Sequence, residues 1–309
     1  MTAKKIRNQF ADTMLEIGKN DPDLVVMVGD ISHGILQTFA KACPGRYYNV
    51  GICEAEIISM AAGMASIGLY PVAHTIAPFL LERAYEQIKL DFCYHGLHGN
   101  IVTVGGTFDY SNLGVTHHCY CDFALIKSLP NTQYLFPGTA QEFDILFKQA
   151  YRNELLTVYR VPEHPHMQEI SASAIKVGKG VKIADGKDLT IVVTGTQLKH
   201  AVEAKKALSA GGWDVEIIYI HSIRPFDAEM VRESVQKTRR VLVVEEHNVV
   251  GGLNEDVLRA VYNVRDVQFH AQGLRSFVHS YGSYNDLCES VGLSPNGIVR
   301  SVQEHFKKG

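Results

Sequence analysis

The chain has 309 residues, of which 46% are hydrophobic and 20% charged, enough for about two domains that each bury a core. Its 30 Lys+Arg against 33 Asp+Glu leave a net charge of −3, with no basic field or charged tail of the kind nucleic-acid binding requires. No apolar stretch approaches the ~20 residues of a membrane span, and the basic start lacks the apolar run of a signal peptide.

In chain order, β-rich apolar runs at residues 23–30, 46–52, Tyr70–Ile76, 100–106, 132–138 and 155–161 read as strands. Segments of helical length lie between them, 139–153 being the clearest amphipathic one. Such alternation predicts βαβ units and a parallel sheet covered on both faces. Residues 161–188, rich in polar residues, glycine and proline, break the rhythm and read as a linker with room for a short hairpin. The alternation resumes with strands at Leu189–Thr194, Val215–Ile220 and 240–245, a helix over 199–210 and a closing helix over 296–306. The fold expected is α/β with two doubly wound domains, at 1–165 and 185–309, joined by a linker at 166–184. Six scattered cysteines, at 43, 53, 93, 119, 121 and 288, fit a reduced, cytoplasmic setting better than a disulfide scaffold.

Familiar motifs are missing. GxGxxG, GxxxxGK[ST] and GxSxG do not occur. Thr194-Gly195-Thr196, between a strand and a helix, could hold an anion on backbone N–H groups. The cluster from Thr116 to Cys121, with His117, His118 and both cysteines, suggests zinc ligands, but no second ligand pair stands at a structural-zinc spacing. The better reading there is one acid–base histidine followed by core cysteines.

Residues 49–66, NVGICEAEIISMAAGMAS, carry the argument. A strand ends and Glu54 stands in the first turn of a small-residue, apolar helix that is expected to be buried, with another subunit as a candidate cover. Any first-turn carboxylate gains ~0.3–1 kcal/mol from the helix N-terminus when exposed. At the mouth of a buried helix it can also share a proton with a ligand nitrogen.

Gly51-Ile52-Cys53-Glu54-Ala55 with Ala62-Gly63 resembles the G-I-x-E-x…A-x-G pattern of the transketolase family. Phe79 before Arg83-Ala84-Tyr85-Glu86-Gln87 is similar to the F-x-x-x-R-A-[aromatic]-[DE]-Q helix of its split members and of 1-deoxyxylulose-5-phosphate synthases. Gly114-Val115-Thr116-His117 resembles the G-x-T-H-Q loop, and Leu129-Pro130-Asn131 with Phe136-Pro137-Gly138 the strand after it. Ser222-Ile223-Arg224-Pro225-Phe226-Asp227 and Glu245-Glu246-His247-Asn248 with Gly251-Gly252 resemble later elements of the same family. The likeness runs from about residue 10 to the C-terminus.

The resemblance implies a thiamine-diphosphate enzyme whose pyrimidine-binding and C-terminal domains are here. The G-D-G…N motif that holds Mg²⁺ and the diphosphate is absent; Gly29-Asp30-Ile31 falls instead in the first strand-to-helix turn. The chain is therefore expected to be the second subunit of a split transketolase, inactive alone and assembled as α2β2 with a separate N-terminal subunit. Together they would transfer a two-carbon ketol unit from a ketose, expected to be phosphorylated, to an aldose. The resemblance makes Glu54 the activator of the aminopyrimidine, Phe79 its stacking platform, His117 the handler of substrate hydroxyl protons and Asp30 a neighbour of the cofactor. It makes Arg160 a binder of the substrate phosphate, for which a guanidinium is suited.

The loop before His117 departs from the family pattern. Asn112-Leu113 replaces the acidic position, Gly105-Gly106 stands where a histidine is usual, and His118 replaces glutamine. Tyr110, Asn112 and His118 are accordingly candidates for altered substrate recognition. A synthase of the 1-deoxyxylulose-5-phosphate type and a 2-oxo-acid dehydrogenase β-type subunit are the alternative enzymes. A non-catalytic partner subunit is the alternative of another class.

Overall fold

The structure, a computed structural model, describes residues 4–307. In chain order the first half contains α1 (Ile6–Asn20), β1 (Leu24–Val28), α2 (Gln37–Ala42), β2 (Tyr47–Asn49), α3 (Glu54–Ser66) and β3 (Tyr70–Ile76). A helical stretch of wide turns follows, formed by Pro78–Arg83, the short α4 (Tyr85–Gln87) and Ile88–Tyr94. Then come β4 (Gly99–Val104), α5 (Asp122–Lys127), β5 (Thr132–Leu135), α6 (Ala140–Ala150) and β6 (Leu156–Val161). The second half has β7 (Val181–Ala184), β8 (Leu189–Thr194), α7 (Gln197–Ala210), β9 (Val215–Ile220), β10 (Ser222–Arg224), α8 (Ala228–Thr238), β11 (Arg240–Asn248), α9 (Leu253–Val261), β12 (Gln268–Leu274), α10 (Tyr284–Ser290) and α11 (Pro295–His305).

Two sheets result, in the orders β10-β5-β6-β4-β3-β1-β2 and β12-β11-β8-β9-β7. All pairings are parallel except β10 on β5 and β7 on β9. The fold is thus α/β with two doubly wound units, as the alternation of elements implied. Strand residues alternate between two apolar layers, which is the period-2 consequence of the pleat. Leu24, Val26 and Val28 join one layer with α1, α2, α6, α7, α10 and α11. Val25 and Met27 join the other with α3, the wide-turn helix, α5, α8 and α9. Each layer runs continuously across both sheets.

The segment read as a linker supplies β7, while β10 and β12 were not foreseen. β10 crosses from the second half to pair with Leu135 and Tyr134 of β5. All six cysteines are free. Among the described residues, no helix is long and apolar enough to cross a membrane.

Candidate active site

β2 ends at Asn49, and Gly51 makes the turn into α3 at φ 80°, a conformation that favours glycine. Asn49 staples this turn to the one after β1. Its Oδ1 accepts from the backbone N–H groups of Asp30 (3.0 Å) and Gly51 (3.1 Å), and its Nδ2 donates to Asp30 Oδ1 (3.0 Å). Asp30 is held there, exposed, at φ 68°. Burial and the Asp30 charge push the neighbouring Tyr47 phenol up to about 12.

Glu54 is the first residue of α3 and is only 3% exposed. Helix α3 buries Ile57, Ile58, Ala61, Ala62 and Ala65, but its other face, with Ser59, Met60 and Gly63, is open in the single chain. Arg83 Nη1 donates to Glu54 Oε2 at 2.8 Å, and no hydrogen bond reaches Oε1 among the described residues. The same guanidinium lies over the Phe79 ring, 4.6 Å from its centroid, one turn earlier in Pro78–Arg83. Phe79 meets His117 edge-to-face at 5.0 Å, and His117 meets Tyr110 at 6.0 Å. Glu54, Arg83, Phe79, His117 and Tyr110 therefore form one unbroken chain of contacts. Burial holds the His117 imidazole below its ordinary value, which keeps the ring neutral and able to accept a proton.

The loop from Gly105 to His118 is packed by aromatic groups. A Cβ on Gly105, at φ 86°, would stand 2.5 Å from the Tyr110 ring, so Tyr110 fills the space into which a side chain at 105 would project. The Tyr110 hydroxyl is buried beside Arg7, and burial is the main cause that pushes its pKa up. Asn112 lies exposed on the loop. His118 points inward, 2% exposed, with Nδ1 2.8 Å from the Tyr120 hydroxyl and its ring also close to the Tyr110 backbone. Burial, followed by the neighbouring His117, lowers its pKa. Asp109 accepts from the Gly106 N–H (2.5 Å) and pairs with His164 at 2.7 Å, raising the His164 pKa.

Arg160 is not on this line of contacts. It has no exposed surface, and its guanidinium donates to Asp122 Oδ1 (3.2 Å), Thr107 Oγ1 (3.0 Å) and the Glu246 carbonyl (3.2 Å). It also lies over the Phe136 and Phe123 rings. Arg160, for which the resemblance implies a contact with the substrate phosphate, is thus wholly buried here, and its side chain ties the first sheet to β11 within the core. Gly195 likewise serves packing: a Cβ there would overlap the Phe136 ring, so the turn after β8 is filled and offers no anion cradle.

Cys119 and Cys121 both approach Glu82 Oε1, at 3.6 and 3.5 Å, and burial pushes the Cys121 thiol up to about 12. Among the described residues, no group of three or more His, Cys, Asp or Glu side chains is placed to hold a metal ion. Sequence reasoning missed Asn49 and the pairing of Arg83 with Glu54. The stacking of Arg83 on Phe79 had a signal, because the two lie four residues apart, the spacing that brings side chains together along a helix, whereas Glu54 stands 29 positions from Arg83.

The transketolase pyrimidine-binding domain model matches residues 2–164, and the transketolase C-terminal domain model matches residues 178–298. An apulose-4-phosphate transketolase subunit from Phocaeicola vulgatus is 30% identical, covering 98% of this chain and 97% of that protein. The 6-deoxy-6-sulfo-D-fructose transketolase subunit SqwH of a Clostridium species is 27% identical, covering 97% and 94%. A 1-deoxy-D-xylulose-5-phosphate synthase from Halothermothrix orenii is 28% identical over 95% of this chain but only 47% of that protein. Among solved structures, a split-gene transketolase described as an inactive β4 tetramer superposes with a TM-score of 0.88, at 29% identity and 98% coverage of both chains.

Proposed function

The chain belongs to the transketolase family, and from that premise we propose that it is the second subunit of a split, thiamine-diphosphate-dependent transketolase. The observation that carries this reading is the contact chain from Glu54 through Phe79 to His117. The chain spans nearly the whole of separately encoded transketolase subunits but about half of a synthase made as one polypeptide. We assign residues 1–165 to the pyrimidine-binding domain, 166–184 to the linker and 185–309 to the C-terminal domain. A separate chain with the G-D-G…N motif holds Mg²⁺ and the diphosphate, and the two form an α2β2 heterotetramer in the cytoplasm.

The residues present fit an aminopyrimidine. A buried carboxylate offers one oxygen without a hydrogen-bond partner among the described residues, beside an aromatic ring that Arg83 and His117 both contact. When bound, thiamine diphosphate supplies a stabilised carbanion at its thiazolium carbon. Glu54 Oε1 would hold a proton toward a ring nitrogen of the pyrimidine, in a charge-assisted hydrogen bond that burial strengthens. Phe79 stacks on the ring, a contact worth ~0.5–1.5 kcal/mol beyond burial. His117, neutral and next to Phe79, takes and returns the proton of a substrate hydroxyl. Asp30 lies near the cofactor at the subunit boundary. Tyr110 and Asn112 border the sugar, and His118 supports the loop from behind. The overall transfer moves a two-carbon ketol unit from a ketose to an aldose.

The test is ketol transfer by the complex purified from the native host through a tag on this chain. We expect a co-purifying chain with G-D-G…N, transfer by the complex and none by this chain alone. Glu54→Ala should abolish turnover while the complex still assembles; full activity in that variant would overturn the assignment. A second reading, a synthase joining a 2-oxo acid to an aldehyde, is favoured by the matches to 1-deoxy-D-xylulose-5-phosphate synthases. Pyruvate consumption by the same complex, with no transfer from any ketose, would select it.

A further inference from the structure

Glu54 is nearly sealed from water, yet the one charged group that pairs with it among the described residues, Arg83, is half exposed. Placing a carboxylate in such a site without a partner is costly, and a single guanidinium bond offsets part of that cost. Arg83 makes that bond through Nη1 to Oε2 alone, at 2.8 Å, although a guanidinium fork can grip both oxygens of a carboxylate. Its plane is meanwhile committed to the Phe79 ring at 4.6 Å. One side chain therefore fixes the carboxylate and the ring together. The spacing explains how: Phe79 and Arg83 are four apart in a helix whose hydrogen bonds reach five residues back, which sets the two side chains nearly in line. The ring also meets His117, 5.0 Å away between centroids and nearly perpendicular to it.

We propose that Arg83 is a positioning residue that holds Glu54 by Oε2 and Phe79 by one face, so that Oε1 and the remaining ring surface meet a planar nitrogen heterocycle as one preformed site. The inference rests on the proposed function for the identity of that heterocycle, the aminopyrimidine of thiamine diphosphate. It assigns Arg83 no contact with the diphosphate and no proton transfer. Positioning of this kind raises affinity by removing the need to order two groups at the moment of binding.

The experiment measures equilibrium binding of thiamine diphosphate, and separately of inorganic diphosphate, to the complex of this chain with its partner subunit. Wild type, Arg83→Met, Arg83→Lys and Glu54→Gln are compared, with circular-dichroism melting of each variant as a control for folding. We expect Arg83→Met to weaken thiamine diphosphate binding about tenfold or more with inorganic diphosphate unaffected. Arg83→Lys, which keeps the charge but lacks the flat stacking surface, should recover part of that loss. Thiamine diphosphate affinity in Arg83→Met equal to wild type, while Glu54→Gln binds weakly, would overturn the positioning role and leave the proposed function standing. No thiamine diphosphate binding by the wild-type complex would instead overturn the proposed function. An equal loss for both ligands in Arg83→Met, with an unchanged melt, would also overturn the role, because a site preformed for the heterocycle alone leaves diphosphate binding untouched.

Discussion

Two arginines in this chain illustrate how far burial decides what a residue does. Arg83 keeps half its surface in water and meets one buried acid, Glu54 at 2.8 Å, whereas Arg160 has none in water and faces two acidic residues, Asp122 at 3.2 Å and Glu246 at 3.9 Å. Removing Arg160 leaves both acids buried without that partner, a change that costs about 3–5 kcal/mol. Arg160→Met should therefore lower the urea midpoint strongly; a loss below about 1 kcal/mol would show that the acids neutralise themselves. Gly195 is a second such position, since φ is 56° and the Phe136 ring occupies the place of a Cβ. Gly195→Ala should cost about 1–3 kcal/mol by thermal or chemical melting, through overpacking and strain. The burial of Glu54 was legible in the sequence because the helix it opens is apolar nearly all round. The role of Arg160 was not, because its partners stand 38 and 86 positions away and a strand-end arginine reads alike whether it faces water or a buried acid.

At the scale of elements, β10 has three residues and yet closes an edge of the first sheet. Arg224 reinforces it, donating through Nη1 to the carbonyls of Leu129 (2.8 Å) and Lys127 (3.2 Å) and to Thr132 Oγ1 (2.9 Å). Residues 1–165 expressed alone would lose this strand and leave β5 as an open edge, an invitation to pair with other chains. That fragment should elute as aggregates on size exclusion; a monodisperse, stable monomer would contradict the argument. Strands β1, β3, β4, β6, β8, β9 and β11 were readable because each carries enough apolar residues to be buried on both faces. β10 and β12 were not, since one is too short and the other, QFHAQGL, is a half-exposed edge strand with little apolar signal. The wide turns at Pro78–Arg83 were also hidden, because a period other than 3.6 residues is not what an amphipathic pattern is tested against.

Over the whole molecule, continuous apolar layers bring ionisable groups from distant parts of the sequence into places water does not reach. His247 stacks on Phe123 at 4.5 Å, accepts the Phe123 N–H at Nε2 (3.2 Å) and donates from Nδ1 to the Asn248 carbonyl (2.6 Å). An Nε2 that accepts a hydrogen bond carries no proton, so the native ring is neutral, and burial lowers its pKa to about 4. His74 is held in the same way between the Val102 carbonyl and the Ser32 hydroxyl, and burial again lowers its pKa to about 4. Unfolded, both histidines would take up protons near pH 6.5. From there down to about pH 4 the unfolded chain binds more protons than the native one, so stability rises with pH and is lost on acidification. Glu245 acts in the opposite sense. Burial raises its carboxyl to about 7 although it accepts the N–H groups of Leu253 and Asn254, so the native state holds a proton between about pH 4.5 and 7 that the unfolded chain releases. Taken by themselves these three groups leave a net uptake of about one proton on unfolding; His118, His200 and His221, also lowered by burial, add to that uptake, while Glu82 and Glu246, raised by burial, subtract from it. Chemical denaturation at half-unit steps from about pH 6.5 to 4.5 should show stability falling toward acid, and a flat or rising profile would mean that the raised carboxyls Glu82, Glu245 and Glu246 outweigh the buried histidines.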